Sequence, residues 1–181
     1  WFGKSKVEDE QGQPLEVFHG THAKEIQIFD RNGKDLYPSN RINSPENLDR
    51  IGIWITDKRE AARAYGPNVI STFLSIKKPF TVRGMNAFER LEEAVRRKGG
   101  REKFLEYIKQ MQYDGIHLVD AYVDGWTQDI WVAFEPNQIK SSVGNNGNYS
   151  LTDDRINYSR SGESNTNADF LRAQTEEIKA Y

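Results

Sequence analysis

The sequence predicts a single α+β domain, in which short strands lie towards both ends of the chain and two helices lie between them. Apolar residues that alternate or are β-branched predict strands at residues 15–19, 51–55, 69–76, 116–119 and 130–134. Apolar residues at helical spacing predict two helices, which present Phe88, Leu91 and Val95, and then Phe104, Ile108 and Met111. Because few strand–helix–strand crossovers are present, the pattern favours α+β over a doubly wound parallel sheet.

Capping and turn residues mark the limits of these elements. Thr56-Asp57 predicts the N-cap of a short helix, which runs through Tyr65 and is ended by Gly66-Pro67. Lys77-Lys78-Pro79 closes the third strand, and Asn86 predicts the cap of the first long helix.

Two segments lack either periodicity. Residues 29–49 are rich in Asn, Asp, Ser, Gly and Pro, and a loop of this length is typical of a functional flap. Residues 160–181 predict a polar linker followed by a short C-terminal helix, so we expect the domain itself to span residues 1–159. The chain begins at Trp1, and we expect it to be a segment of a longer product or a processed form.

The composition excludes several classes of function. Lysine and arginine (25) nearly balance aspartate and glutamate (27), and the net charge of −2 predicts no general attraction to nucleic acid or anionic membranes. The absence of cysteine excludes disulfides, cysteine-zinc sites and thiol catalysis. No apolar run approaches the roughly 20 residues that a membrane span needs, so we expect a cytoplasmic protein.

Chemistry-bearing residues occur in three separated elements. His19-Gly20-Thr21 ends the first strand, and Asp129-Ile130-Trp131 opens a late one. Trp54 lies on a strand and Tyr65 on the helix behind it, with ten residues between them. In this order the elements resemble the His-Tyr-Glu branch of the ADP-ribosyltransferases, the branch of diphtheria toxin and the poly(ADP-ribose) polymerases.

Four further blocks resemble a narrower group, the ADP-ribosyltransferase domains of phage and mobile-element polyvalent proteins. These blocks are FGKSKVEDEQGQPLEVFHGT, GIWITD, YDGI and WVAFEPNQIKSSVGNNGNYS…INYS, which together cover about residues 2–159. The resemblance implies two small mixed or antiparallel sheets around an NAD cleft, with flanking helices. It also implies that NAD is the donor substrate and that no metal is needed.

The residue types suit NAD chemistry. Trp54 and Tyr65 can stack the cationic nicotinamide ring, because the face of an aromatic ring attracts positive charge. The backbone of Gly20 can bind the carboxamide at close range, and His19 and Thr21 can bond the adenosine-side ribose. Taken alone, a histidine at a strand end is usually structural and a tryptophan on an apolar strand is usually core; the surrounding blocks favour the functional interpretation.

The catalytic position departs from the family pattern. Loss of nicotinamide passes through an oxocarbenium-like sugar, and the family normally places a glutamate against the ribose hydroxyl. The matching position here is Ile130, flanked by Asp129 and Gln128. Because neighbouring strand residues face opposite ways, Asp129 would need a slip or bulge to replace the glutamate.

Family members with isoleucine at this place resemble mono-ADP-ribosyltransferases. We therefore expect an NAD-dependent glycosyltransferase that transfers one ADP-ribose to a host protein acceptor, as a phage or mobile-element effector in the host cytosol. A catalytically degenerate module that binds NAD or ADP-ribose is the alternative. A metal-free nuclease that uses His19, His117 and Lys140 is a third hypothesis.

Overall fold

The computed structural model describes residues 2–30, 48–143 and 152–157. The strands within these ranges are β1 (Val17–Thr21), β2 (Ile53–Thr56), β3 (Asn68–Leu74), β4 (Pro79–Arg83), β5 (Gly115–Val123), β6 (Trp126–Ala133) and β7 (Ile139–Ser141). The helices are α1 (Arg59–Ala62), α2 (Ala87–Arg97) and α3 (Arg101–Gln110), and short 3₁₀ turns occur at Leu48–Arg50, Arg63–Tyr65 and Pro136–Gln138. No helix in the described ranges is long and apolar enough to cross a bilayer.

The described strands form one sheet in the order β4-β5-β6-β2-β1-β3-β7. The two separate sheets that the resemblance implies are therefore not confirmed, because β2 joins β1. That junction is narrow, since Phe18 opposite Thr56 is its single residue pair, whereas β1 and β3 share five. The sheet thus consists of a four-stranded and a three-stranded half that meet at one point.

An apolar core lies on each face of the sheet, as strand alternation requires. Ile130 and Val132 of β6 pack in the core beneath α2 and α3, where Leu91, Val95 and Phe104 are fully buried. The core on the other face combines strand residues with residues from outside the sheet. Its buried members are Val7, Val17, Phe29, Ile53, Ile55, Ile70, Leu74, Ile76, Trp131, Ala133, Ile139 and Ile156. The two cores fix which face each residue of β6 presents.

The main strand that the sequence did not predict is β4. It begins at Pro79, runs parallel to β5, and is connected to β5 through α2 and α3, so the fold contains a parallel crossover. A proline usually ends a strand, but β4 lies at the edge of the sheet, where a missing backbone N–H is tolerated. Its residues are all partly or fully exposed, which removes the apolar pattern of a buried strand.

The predicted N-cap of α1 is wrong. Lys58 occupies that position, and no side chain caps the helix. The Thr56 hydroxyl instead accepts a hydrogen bond from the Lys58 N–H at 3.1 Å, and the Asp57 carboxylate accepts one from the Asp129 N–H at 2.9 Å. Asn86 does hold the N-cap position of α2, although its side chain makes no capping bond.

Both long helices agree with the sequence predictions, and the predicted short helix consists of α1 followed by the 3₁₀ turn Arg63–Tyr65, which ends before Gly66. The C-terminal linker and helix, and most of the predicted loop at 29–49, lie outside the described residues. The division of the chain at residue 159 stays a prediction.

Candidate active site

A cleft of about 610 Å³ opens at the junction of β1 and β2. Its walls come from both strands, from the segment that follows β1, from the end of the α1 region and from the turn between β5 and β6. The lining includes seven residues that the sequence singled out: His19, Gly20, Thr21, Trp54, Tyr65, Gln128 and Ile130. Residues of β1, β2 and β6 that are distant in sequence thus meet in one concave site.

His19 bridges the two halves of the sheet. Its Nδ1 lies 2.8 Å from the carbonyl oxygen of Trp54, and its ring meets Phe29 edge-on with centroids 5.0 Å apart. Only 9% of the residue is exposed. Burial lowers the pKa of His19, and the hydrogen bond to Trp54 opposes this effect only in part. The neutral imidazole therefore donates from Nδ1, which leaves Nε2 as an acceptor.

The two aromatic residues reach the cleft from different supports. Trp54 is half-buried, its Nε1 donates to the Leu48 carbonyl at 3.2 Å, and its ring packs at 5.8 Å from Phe88 of α2. Tyr65 is 39% exposed, and its hydroxyl donates to Oδ2 of Asp124 at 2.8 Å. Both residues line the same cleft as His19.

The close packing of β1 against α1 leaves no room for a side chain at Gly20. A Cβ at this position would lie 1.7 Å from the carbonyl oxygen of Ala62, so any side chain would collide with the backbone of α1. The close approach brings the end of α1, and with it Tyr65, against β1. Next to it, Thr21 is buried and its hydroxyl accepts the Ala23 N–H at 3.0 Å.

The wall formed by β6 presents Ile130, the residue predicted to match the family's glutamate, and no acid of β6 lines the cleft. Ile130 is 6% exposed and lies opposite Thr56 of β2. Gln128, two residues earlier and on the same face, is buried. Its Oε1 accepts the Thr56 hydroxyl, and its Nε2 donates to the Val123 carbonyl at 3.3 Å. The polar group nearest in sequence to Ile130 on this face is therefore an amide that is already hydrogen-bonded.

The structure does not bring Asp129 to the cleft lining. A bulge does interrupt the pairing here, but it lies in β5 between Leu118 and Ala121, whose partners in β6 are Ile130 and Gln128. Because β6 itself stays regular, Asp129 keeps the opposite orientation to Ile130. The slip or bulge that Asp129 would need in order to replace the family's glutamate is therefore absent from β6, and the expectation that Asp129 belongs to the site is corrected.

Asp129 belongs to a polar cluster on the other face. Its carboxylate accepts hydrogen bonds from His117 Nε2 at 2.7 Å and from the Asp120 N–H at 2.9 Å. Partial burial opposes its ionisation, but these hydrogen bonds outweigh burial and lower the pKa of Asp129. The neighbouring Asp57 shows the opposite result. Burial raises the pKa of Asp57, and the hydrogen bond from the Asp129 N–H and the positive charge of Lys58 oppose this effect only in part.

The acids that do line the cleft were not singled out from the sequence. They are Glu25, Asp30 and Asp124. Asp124 and Gly125 have φ values of 51° and 88° and form the two-residue turn between β5 and β6. An Asp-Gly pair between two strand patterns is a strong hairpin signal, and it could have placed Asp124 beside β6 in advance.

The structure separates the three residues of the nuclease hypothesis. His19 lines the cleft, whereas His117 is bonded to Asp129. Lys140 is fully buried, and its Nζ donates to the carbonyls of Asp153 and Arg155 at 2.6 and 2.7 Å. Its strand β7 is five positions from β5 in the sheet, roughly 24 Å at the usual strand spacing. Burial lowers the pKa of Lys140, and the nearby aspartates only partly oppose it.

Two further observations bear on the site. The Gln138 side chain accepts hydrogen bonds from the N–H groups of Phe134 and Glu135 and donates to the carbonyls of Ser75 and Asp114, so its role is structural. In the part of the chain that the structure describes, no group of three or more acidic or histidine side chains could hold a metal ion.

The sequence matches a known protein family over most of its length. A sequence model of the family described as "ADP-Ribosyltransferase in polyvalent proteins" matches residues 9–149, which is most of the chain. No curated protein matches the sequence. Among solved structures, the chain is similar to a "Crystal structure of an anti-CRISPR protein" at 11% identity and a TM-score of 0.34. That similarity covers 66% of this chain and 89% of the other, and at so low a TM-score it carries no argument.

Proposed function

The chain belongs to the family of ADP-ribosyltransferases in polyvalent proteins, and from this premise we propose that it is a mono-ADP-ribosyltransferase. It cleaves the nicotinamide–ribose bond of NAD and transfers ADP-ribose to a protein acceptor. The observation that carries the proposal is the convergence of His19, Trp54 and Tyr65 on one cleft. The three come from separate elements, and each is of the residue type that NAD chemistry requires.

The proposed roles follow from the chemistry of each group. Trp54 and Tyr65 flank the pyridinium ring, and their faces attract its positive charge. His19, held neutral by burial, accepts a ribose hydroxyl through Nε2. Gly20 and Thr21 supply backbone and hydroxyl groups to the carboxamide and the adenosine-side ribose. Together these contacts position NAD and orient its leaving group.

Ile130 supports transfer of a single unit rather than polymer synthesis. The cleft lacks a carboxylate at the position where the family's glutamate would face the ribose hydroxyl, so the oxocarbenium-like transition state receives less stabilisation. An acceptor carboxylate can supply the missing charge by attacking C1′. The electron pair of the C1′–N bond then leaves with nicotinamide, which becomes neutral, and no proton needs to move. We propose that the acceptor is a host protein and that the chain acts in the host cytosol as a phage or mobile-element effector.

The same residue motivates a second candidate, a module that binds NAD or ADP-ribose without catalysis. Stoichiometric NAD binding with no nicotinamide release over long incubation would favour it. Nicotinamide release in proportion to label incorporated into protein would favour the transferase.

The experiment that tests the proposal is incubation of the protein with ADP-ribose-labelled NAD and a bacterial lysate. We expect labelled protein with the intact chain and loss of label with His19→Ala and with Trp54→Ala. Met111→Ala is the control, because Met111 is 44% exposed at the end of α3 and lies outside the cleft lining. Labelling that survives the combined His19→Ala and Trp54→Ala substitution would overturn the proposed site.

A further inference from the structure

The turn between β5 and β6 reaches across the cleft mouth to one of the two aromatic residues. Asp124 is 59 positions from Tyr65 in sequence, yet its Oδ2 accepts the tyrosine hydroxyl at 2.8 Å. Both residues line the cleft. The hydrogen bond therefore joins the α1 side of the site to the hairpin side.

The hairpin connects this bond to the catalytic wall. Gln128 of β6 donates its amide to the carbonyl of Val123, the residue before the turn, and Ile130 follows on the same face. A displacement of the turn would therefore also move Gln128 and Ile130, the residues of β6 that line the cleft. Holding the turn in place fixes both the tyrosine and this wall.

The two aromatic residues differ in how their rings are confined. Trp54 is packed against Phe88 and bonded to the Leu48 carbonyl, whereas Tyr65 is 39% exposed at the end of a short 3₁₀ turn. An exposed side chain loses more rotamer freedom when it stacks on a ligand, which weakens binding unless the ring is already held. A hydrogen bond from a rigid turn can hold it.

We propose that Asp124 is a positioning residue that, through its hydrogen bond to Tyr65, holds the phenol ring ready to stack on nicotinamide. The role rests on the proposed function, because it assigns a partner to one ring of the nicotinamide sandwich. Asp124 does not itself touch the reacting atoms. It acts by preorganising Tyr65.

The test must separate this hydrogen bond from two other properties of an aspartate in the turn. Aspartate tolerates the positive φ of 51° at this position, and it carries a negative charge. Asp124→Asn keeps the turn preference and an acceptor oxygen but removes the charge. Asp124→Gly keeps the turn and removes the side chain, and Tyr65→Phe keeps the ring and removes the donor.

We expect Tyr65→Phe and Asp124→Gly each to raise the dissociation constant of NAD by a similar factor, roughly three to ten, as for loss of one ordinary hydrogen bond. The double variant should be no weaker than either single one, and Asp124→Asn should stay within about twofold of the wild type. In the absence of NAD, the amides of residues 122–126 should exchange hydrogen faster in Tyr65→Phe than in the wild type.

Additive losses in the double variant, or unchanged hydrogen exchange in Tyr65→Phe, would overturn the proposal. The proposal would also be overturned if Asp124→Asn lost as much NAD affinity as Asp124→Gly while Tyr65→Phe bound NAD normally. That result would show that only the negative charge of Asp124 matters. NAD binding insensitive to all three substitutions overturns only the role of Asp124. A wild-type protein that binds no NAD overturns the proposed function and this role with it.

Discussion

The imidazole of His19 is tied to the backbone of Trp54 by a 2.8 Å hydrogen bond that crosses the junction of β1 and β2. Only one residue pair joins these strands, so the side chain adds a second connection between the two halves of the sheet. The bond also fixes the tautomer of the ring. Site geometry and sheet integrity therefore depend on the same buried histidine.

The first prediction concerns the stability of the protein as a function of pH. Burial lowers the pKa of His19 below about 6.5, the usual value for histidine. Above about pH 6.5 the residue is neutral in both the folded and the unfolded protein and has no effect. Below that pH the unfolded chain binds a proton that the folded protein resists, so the free energy of unfolding falls as pH decreases towards the folded pKa.

His19→Gln should flatten this profile, because glutamine can still donate to the Trp54 carbonyl but does not titrate. We expect the difference in slope to be at most about 1.4 kcal/mol per pH unit. Urea unfolding of both proteins at several pH values from 5 to 7.5 measures it, because the two proteins differ only at residue 19. Parallel profiles would contradict the assignment of His19 as a buried neutral histidine.

The second prediction concerns the stacking residue Trp54. Trp54→Ala should weaken NAD binding about tenfold, whereas Trp54→Phe should cost only about twofold to threefold, because a smaller aromatic face still attracts the pyridinium. Titration calorimetry with NAD measures both. Equal affinities for the alanine and phenylalanine variants would show that no ring at this position contacts the ligand.

Much of the architecture could be predicted from the sequence, because the buried face of a helix or strand requires apolar residues at a regular spacing. The helices α2 and α3 are visible from Leu91 and Val95 and from Phe104 and Ile108, all of which are buried. The short edge strand β7 carries a different pattern, because its central residue is the buried Lys140, whose partners are backbone carbonyls from residues 153 and 155. No local sequence pattern predicts which distant backbone carbonyls will accept the hydrogen bonds of a buried lysine.

The site was predictable where strand alternation decides it and not where tertiary contacts do. Alternation correctly puts Asp129 and Ile130 on opposite faces, but it cannot say that the bulge falls in β5 instead of β6. The bond from Tyr65 to Asp124 likewise depends on two elements that are distant along the chain. Such contacts come from the way the elements pack.

The third prediction is that Asp129 is structural. Asp129→Ala removes the partner of the His117 ring and of the Asp120 N–H, so the free energy of unfolding should fall by about 1–3 kcal/mol. NAD affinity and the rate of nicotinamide release, measured below the unfolding temperature of the variant, should stay near wild-type values. Loss of nicotinamide release with unchanged NAD affinity would instead make Asp129 the catalytic acid.

The fourth prediction concerns the close approach of β1 and α1. Gly20→Ala should lower the free energy of unfolding by about 2–4 kcal/mol, because the new methyl group would lie 1.7 Å from the Ala62 carbonyl oxygen and the backbone must shift. Gly3→Ala is the control, since a Cβ there meets nothing within 4 Å. Urea denaturation of the two variants should separate them clearly; equal stabilities would refute the contact.

The fifth prediction restores the missing carboxylate. Ile130 lines the cleft at the position that matches the family's glutamate, so Ile130→Glu should place an acceptor against the ribose hydroxyl and raise the rate of nicotinamide release at least about tenfold. Ile130→Gln is the matched control, because it has the same shape and polarity but no charge, and both variants lose similar apolar contact in the core beneath α2. High-performance liquid chromatography of released nicotinamide, with far-ultraviolet circular dichroism to check folding, measures the effect. If the folded glutamate variant releases nicotinamide no faster than the glutamine variant, then the ribose does not lie against residue 130, and the orientation of NAD in the cleft must be reversed or shifted.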